Sequence, residues 1–116
     1  MWPFKKKKKK PKNKTFMTIR VDIDNTICQT PGTDYKSAVP LYHRIERINN
    51  LYNSGHKIIY WTSRGVGSGQ DFRILTTKQL ELWGCKYHKL ELNKPLFDMC
   101  IDDKAMNSNE YFYDNV

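Results

Sequence analysis

The chain has 116 residues, enough for one small domain, and a formal net charge of +8. Eight of its 20 lysine and arginine residues fall in residues 1–14, which contain no acidic residue, so residues 15–116 carry equal numbers of basic and acidic groups. The basic stretch lacks the apolar run of a secretory signal, and no run is long enough to span a membrane. These features predict a disordered lysine-rich tail at residues 1–14, one folded domain at residues 15–116 and a cytoplasmic location.

The basic tail has two functional interpretations that its composition does not separate. The lysines between Lys5 and Lys14 favour weak, nonspecific contact with nucleic acid or another anionic surface. An extension that only raises solubility fits the same composition equally well. A more specific functional prediction therefore depends on the folded domain.

Strand and helix patterns alternate along that domain. Residues 16–22 form the first predicted strand. Apolar residues at helical spacing then predict a helix that has Pro40 in its first turn and stops at Gly55. Residues 57–62 are nearly continuous in bulky apolar residues, which is typical of a strand covered on both faces.

The second half of the domain begins with a glycine-rich loop at residues 63–70. Asp71 is the predicted N-cap of a helix that ends at Trp83. The remaining predicted elements are two strands and a final helical turn or two, at residues 86–92, 97–101 and 104–112. This order predicts an α/β, three-layer, Rossmann-like fold, in which helices cover both faces of a small and mainly parallel sheet.

Polar side chains follow three of the predicted strands. Asp22-x-Asp24 ends the first strand, Thr62 the second and Asp102-Asp103 the fourth. The carboxyl ends of parallel strands meet at one edge of a sheet, where ligands bind. Aspartates are poor strand residues and are costly to bury without partners, so the sequence predicts that these carboxylates gather around a cation.

The same side chains predict magnesium-dependent phosphoryl chemistry. Mg²⁺ prefers hard oxygen ligands, which Asp22, Asp103 and the backbone carbonyl of Asp24 would supply. One carboxylate of the first pair would attack phosphorus, and the other would protonate the leaving oxygen and later activate water. Thr62 and Lys94 would stabilise charge on the phosphoryl oxygens.

These elements stand in the order found in a known family. Together they resemble the four motifs of the haloacid-dehalogenase-like (HAD) hydrolase superfamily: Asp22-x-Asp24-x-Thr26, Thr62, Lys94 and Asp102-Asp103. The resemblance covers about residues 16–106. Locally, the stretches Tyr60-Trp61-Thr62-Ser63-Arg64-Gly65 and Gln79-Leu80-Glu81-Leu82-Trp83-Gly84 are similar to small members without a cap domain, often described as capsule or polysaccharide-biosynthesis phosphatases.

The resemblance implies a role for each matching residue. Asp22 would be the nucleophile and Asp24 the acid/base, while Thr62 and Lys94 would stabilise the phosphoryl group. The implied metal ligands are Asp22, Asp24, Asp103 and Asp102, with Asp103 preferred for direct binding and Asp102 in support. The candidate substrate contacts are Arg64, whose guanidinium can grip phosphate or carboxylate oxygens, Asn25, which stands where glycine is commoner, and Thr26.

The activity implied is hydrolysis of a phosphomonoester through an aspartyl-phosphate, with Mg²⁺ as cofactor and a sugar phosphate or related metabolite as the first choice of substrate. The segments that would hold a cap domain are too short, so the site is expected to be open unless a second subunit of a homo-oligomer covers it. A polynucleotide 3′-phosphatase is the alternative enzyme. A noncatalytic nucleic-acid-binding module that uses the basic tail is an alternative of another class.

Overall fold

The computed structural model describes residues 16–116, whose regular elements are three short parallel strands, a two-stranded hairpin, three α-helices and one short 3-10 helix (Tyr35–Ser37). The basic tail lies outside these residues, so its predicted disorder and contacts stay predictions. In chain order the elements are β1 (Thr18–Val21), β2 (Cys28–Gln29), β3 (Val39–Pro40), α1 (Tyr42–Asn53), β4 (Lys57–Trp61), α2 (Arg73–Leu82), β5 (Lys89–Glu91) and α3 (Ser108–Phe112). Among the described residues, no helix combines the length and the hydropathy needed to cross a membrane.

The main sheet has the order β1-β4-β5, and each neighbouring pair is parallel. Val21 lies opposite Tyr60, which lies opposite Leu90, so these apolar side chains share one face of the sheet. The prediction of a mainly parallel α/β sheet is confirmed. Because β1 and β4 end at the same edge, Asp22 and Thr62 follow neighbouring strands there.

Both long helices cover that apolar face. One buried cluster joins α1, α2 and β4 through Ile45, Ile48, Leu80, Trp83, Ile58 and Tyr60. The strand order explains this, because two successive right-handed crossovers in the same direction place both helices on the same side of the sheet. The opposite face carries Arg20, Ile59, Trp61 and Glu91. Residues 16–116 therefore form two layers, and the third layer predicted from the sequence is absent from them.

The first helix begins later than predicted. Pro40 pairs with Cys28 in the hairpin, and α1 starts only at Tyr42. Proline lacks an N–H, which a hairpin edge tolerates as readily as a first helical turn does. The predicted stop is confirmed, because Gly55 follows the C-cap Ser54 with a φ of +104°.

The fourth predicted strand, at residues 97–101, does not form. Residues 96–107, called the acidic segment below, contain no helix or strand, and Ile101 is 91% exposed. Only five residues separate Glu91, the end of β5, from residue 97. A parallel neighbour in the same sheet needs a crossover of about a dozen residues or more. The chain is therefore too short at this point to return to the β1 edge as a parallel strand.

The C-terminal residues are attached to α1 by a buried arginine. Arg44 is 1% exposed and donates from Nε to Asp114 Oδ2 at 2.8 Å and from Nη2 to Asp114 Oδ1 at 2.5 Å. It also donates to the carbonyl of Thr26, in the turn after β1, at 3.0 Å. The Arg44 guanidinium, assisted by His43, holds the pKa of Asp114 below its ordinary value. Phe112 of α3 is buried in the core beside this pair.

Candidate active site

Asp22 directly follows β1 and presents a half-buried carboxylate. Its Oδ2 accepts a hydrogen bond from the Thr26 hydroxyl at 3.2 Å, and its Oδ1 lies 3.4 Å from Lys94 Nζ. Burial raises the pKa of Asp22, and the neighbouring Lys94 charge partly offsets that rise. The structure thus brings two predicted site residues, Thr26 and Lys94, into contact with a third, Asp22.

Thr62 is the buried residue that positions Lys94. It follows β4 and is 1% exposed, and its backbone carbonyl accepts a hydrogen bond from the Lys94 N–H at 3.1 Å. Ser63 adds a second link, because its hydroxyl donates to the Lys94 carbonyl at 2.8 Å. The Thr62 hydroxyl accepts from the Arg64 N–H at 3.2 Å. Two bonds from the end of β4 therefore fix the backbone of Lys94, whose Nζ reaches Asp22.

Asp24 forms a buried ion pair with Arg64. Arg64 Nε donates to Asp24 Oδ2 at 2.9 Å and Nη2 donates to Oδ1 at 2.8 Å, so the guanidinium contacts both carboxylate oxygens. The Thr30 hydroxyl donates to the same Oδ1 at 2.5 Å. This two-point geometry fixes the orientation of the Asp24 carboxylate.

Arg64, a predicted substrate contact, is bonded to protein groups in this arrangement, and its contact with substrate stays a prediction. Arg64 is 2% exposed, and its Nη1 donates to Thr76 Oγ1 at 3.0 Å and to Gln79 Oε1 at 2.6 Å. The physical reason is that a guanidinium under α2 needs polar partners, which the helix supplies on its buried side. Sequence reasoning missed Thr76 and Gln79, although polar residues three apart on the inner face of a helix were a usable signal.

Asn25 and Thr26 shape the turn that follows β1. Asn25 has a φ of +61°, and its Oδ1 accepts a hydrogen bond from the Thr30 N–H at 3.2 Å. Asparagine tolerates this left-handed conformation better than most residues, which accounts for its place in this turn. Ile23 O accepts hydrogen bonds from the N–H groups of both Thr26 and Ile27. Asn25 thus supports the turn, whereas Thr26 contacts Asp22 directly.

Asp102 and Asp103 lie on the acidic segment, away from the other predicted ligands. The Asp103 side chain is 82% exposed and pairs with Lys104 Nζ at 3.6 Å, while Asp102 Oδ1 accepts from the Lys104 N–H at 3.3 Å. Within residues 16–116, no group of three His, Cys, Asp or Glu side chains is placed to hold a metal ion. The predicted Mg²⁺ ligands are therefore not assembled here, because Asp24 is engaged by Arg64 and the strand that would deliver Asp102 and Asp103 does not form.

Comparison with known proteins supports the fold and leaves the activity open. No family model matches the chain, and a search of curated proteins found no match. A crystal structure described as an MCSG target from Vibrio cholerae is similar to this chain, with a TM-score of 0.72 and 24% sequence identity. The alignment covers 86% of this chain and 90% of that one. The similarity shows a shared small α/β, Rossmann-like architecture, and it carries no functional description.

Proposed function

We propose that the chain is a phosphomonoester hydrolase in which Asp22 is the nucleophile. The observation that carries this proposal is the half-buried Asp22 carboxylate at the carboxyl edge of the sheet, held between the Thr26 hydroxyl and the Lys94 ammonium group. A carboxylate beside a fixed cation can receive a phosphate whose charge would otherwise oppose attack. The resemblance of the sequence to the ordered HAD motifs supports the same reaction.

The proposed reaction has two displacements at phosphorus. One Asp22 oxygen bonds to phosphorus while the bond between phosphorus and the ester oxygen breaks, and that oxygen takes a proton from Asp24. Water then attacks the aspartyl-phosphate, gives a proton back to Asp24 and releases Asp22 and inorganic phosphate. Lys94 and the Thr62 hydroxyl stabilise the charge on the phosphoryl oxygens. The cycle begins with Asp24 protonated, which requires one of its oxygens to leave the Arg64 guanidinium, because both oxygens accept hydrogen bonds from it in this arrangement.

Mg²⁺ is the expected cofactor of the proposed reaction. The steps above are those of the protein's own residues. The carboxylates predicted to bind it do not form a set in the described arrangement. A requirement for Mg²⁺ therefore implies that the acidic segment moves toward Asp22. Phosphate release measured with added Mg²⁺ and with a chelator tests that requirement separately from the role of Asp22.

The proposal is tested by phosphate release from a broad panel of phosphate esters. Asp22→Asn should lower the rate by about a thousandfold or more, because an amide is a poor nucleophile. Asp98→Asn changes an exposed carboxylate of the acidic segment in the same way and should leave the rate unchanged. Denaturing quench during turnover should trap a hydroxylamine-sensitive phosphoryl group on the wild type but not on Asp22→Asn.

Two results would contradict the proposal. One is the absence of phosphate release by the wild type from every ester on the panel, with and without Mg²⁺. The other is a wild-type rate in Asp22→Asn. The polynucleotide 3′-phosphatase alternative depends on the basic tail, and it would gain support if a 3′-phosphorylated oligonucleotide were the best substrate and deletion of residues 1–14 removed that preference.

A further inference from the structure

A cleft of about 390 Å³ lies beside the candidate active site and has no role in the reaction as described so far. Its walls come from three parts of the chain: the turn that carries Tyr35, the glycine-rich loop after Thr62 together with Phe72, and Leu96. Tyr35 and Phe72 form an aromatic pair. The glycine-rich loop found in the sequence at residues 63–70 thus encloses one side of this cleft.

Residues that line the cleft contact both halves of the candidate site. Ser63 lines it and donates a hydrogen bond to the carbonyl of Lys94, and Leu96 is two residues beyond Lys94. On the other side, the Arg64 guanidinium that binds Asp24 lies 4.8 Å above the Tyr35 ring. In the proposed reaction Asp24 protonates the leaving oxygen, so the leaving group departs toward the side on which Asp24 and its partners lie.

The walls of the cleft are held by specific contacts. Gly65 has a φ of +85°, and a Cβ there would lie 2.1 Å from the Gln70 carbonyl oxygen, so the loop closes tightly on itself. A Cβ on Gly67 would lie 3.2 Å from Leu96 Cδ1, which places that position against the opposite wall. The Tyr35 carbonyl accepts a hydrogen bond from Gln79 Nε2 at 2.7 Å. Such a preorganised cleft binds a ligand with little cost in ordering.

The side chains that line the cleft are uncharged. Among the described residues that line the cleft, none has an acidic or a basic side chain, and the polar groups are hydroxyls, one side-chain amide and backbone. An ordinary phenol is neutral at physiological pH, and burial, with the nearby Asp24 charge, raises the pKa of Tyr35 further above its ordinary value. The aromatic pair, with ring centroids 4.9 Å apart at 80°, offers an apolar surface. A second anionic group would find no countercharge here.

We infer that this cleft binds the leaving group of the phosphomonoester and that this group is an uncharged, hydroxylated ring, as in a monophosphorylated sugar. The inference rests on the proposed function, because it takes Asp22 as the nucleophile and Asp24 as the proton donor. It disfavours esters with a second phosphate or a carboxylate close to the first phosphate. It also disfavours a polynucleotide end, whose next phosphodiester would lie against an uncharged wall.

Gly67→Leu tests the cleft by filling it toward Leu96. The variant should raise KM for a hexose 6-phosphate about tenfold or more, because added side-chain volume competes with the ring. KM for ethyl phosphate, whose leaving group is small, should stay the same. Val66→Leu is the matched control: it enlarges the adjacent side chain, which is exposed and does not line the cleft, and it should change neither KM. Gln70→Ala, a milder change, should raise only the hexose 6-phosphate KM, about fivefold for a lost hydrogen bond.

A binding measurement separates failure of the cleft from failure of the reaction. Methyl glucopyranoside, which has no phosphate, should shift the amide NMR signals of residues 65–70 in the wild type and not in Gly67→Leu. If the protein hydrolyses both esters and Gly67→Leu affects them equally, or if a hexose bisphosphate is preferred to the monophosphate, the cleft assignment is overturned and the proposed function stands. If no ester is hydrolysed, the proposed function fails, and with it the leaving-group role, whatever the sugar does to the amide signals.

Discussion

Asp24 and Asp103 have the same predicted role, as metal ligands, yet the structure holds them in opposite ways. Asp24 lies in a turn fixed by β1 and the hairpin, and its carboxylate is bonded at both oxygens by a buried arginine. Asp103 lies on the acidic segment, where its partner Lys104 is as exposed as it is. The residue type is the same in both places. The difference comes from the surroundings of each residue. Hydrogen bonds fix the turn that carries Asp24, whereas the segment that carries Asp103 is exposed to solvent.

Arg64→Met, which removes the buried partner of Asp24, should have the largest effect on stability. It should lower the free energy of unfolding by about 3 kcal/mol or more, because Asp24 and the polar groups of α2 lose their buried partner. Urea unfolding followed by circular dichroism measures the change. Lys104→Met makes the same replacement in the exposed pair and should cost less than about 0.5 kcal/mol. Equal losses in the two variants would show that burial does not separate the two regions.

Asp114→Asn tests a third carboxylate, one that is paired with a buried arginine but lies near the surface. Hydrogen bonds from Arg44 lower the pKa of Asp114 in the folded state. Its stabilising contribution is therefore complete above the unfolded-state pKa of about 3.9 and is lost as the pH falls toward the lower folded-state pKa. The variant should be less stable than the wild type at pH 7, and the difference should shrink by pH 3. A difference in urea midpoint that does not change with pH would contradict the assignment.

Asp103→Asn should have the smallest effect on the fold and a distinct effect on metal dependence. The side chain is exposed, so the urea midpoint should stay within the range of a neutral surface substitution, about 0.5 kcal/mol. If Asp103 binds the metal as the sequence predicts, the Mg²⁺ concentration that gives half-maximal phosphate release should rise about tenfold or more. Asp98→Asn, on the same segment, should change neither quantity. Equal Mg²⁺ dependence in the two variants and the wild type would remove Asp103 from the proposed metal set.

The parts of the fold that could be predicted are those set by local pattern and strand order. Apolar runs located β1 and β4, and the parallel alternation placed Asp22 and Thr62 at one edge. Lys94 was singled out by its place among the ordered motif elements, and the structure brings its Nζ to the same edge, 3.4 Å from Asp22 Oδ1. These features depend on short stretches of chain and on general rules of sheet geometry.

The features that could not be predicted depend on connections and on partners distant in sequence. The mostly apolar run at residues 97–101 favours a strand but does not specify its neighbour, and the short link from β5 leaves that strand without one. The face of the sheet on which α2 packs follows from the strand order, and local sequence patterns do not predict that order. The buried contacts of Arg64 did not follow from its own loop, because its partners Thr76 and Gln79 lie on the helix after that loop.

The acidic segment is anchored at both of its ends. Before it, the Lys94 N–H donates to the Thr62 carbonyl; after it, Asn107 caps α3, whose Phe112 is buried. Asp102 and Asp103 thus belong to a short closed loop, and an encounter with Asp22 is an intramolecular event. Short tethers of this kind give effective concentrations on the order of millimolar, and the entropic cost of closing them depends only weakly on length. Binding of one metal ion by Asp22 and either carboxylate would therefore be favoured by this tether, without any new contact between the two regions.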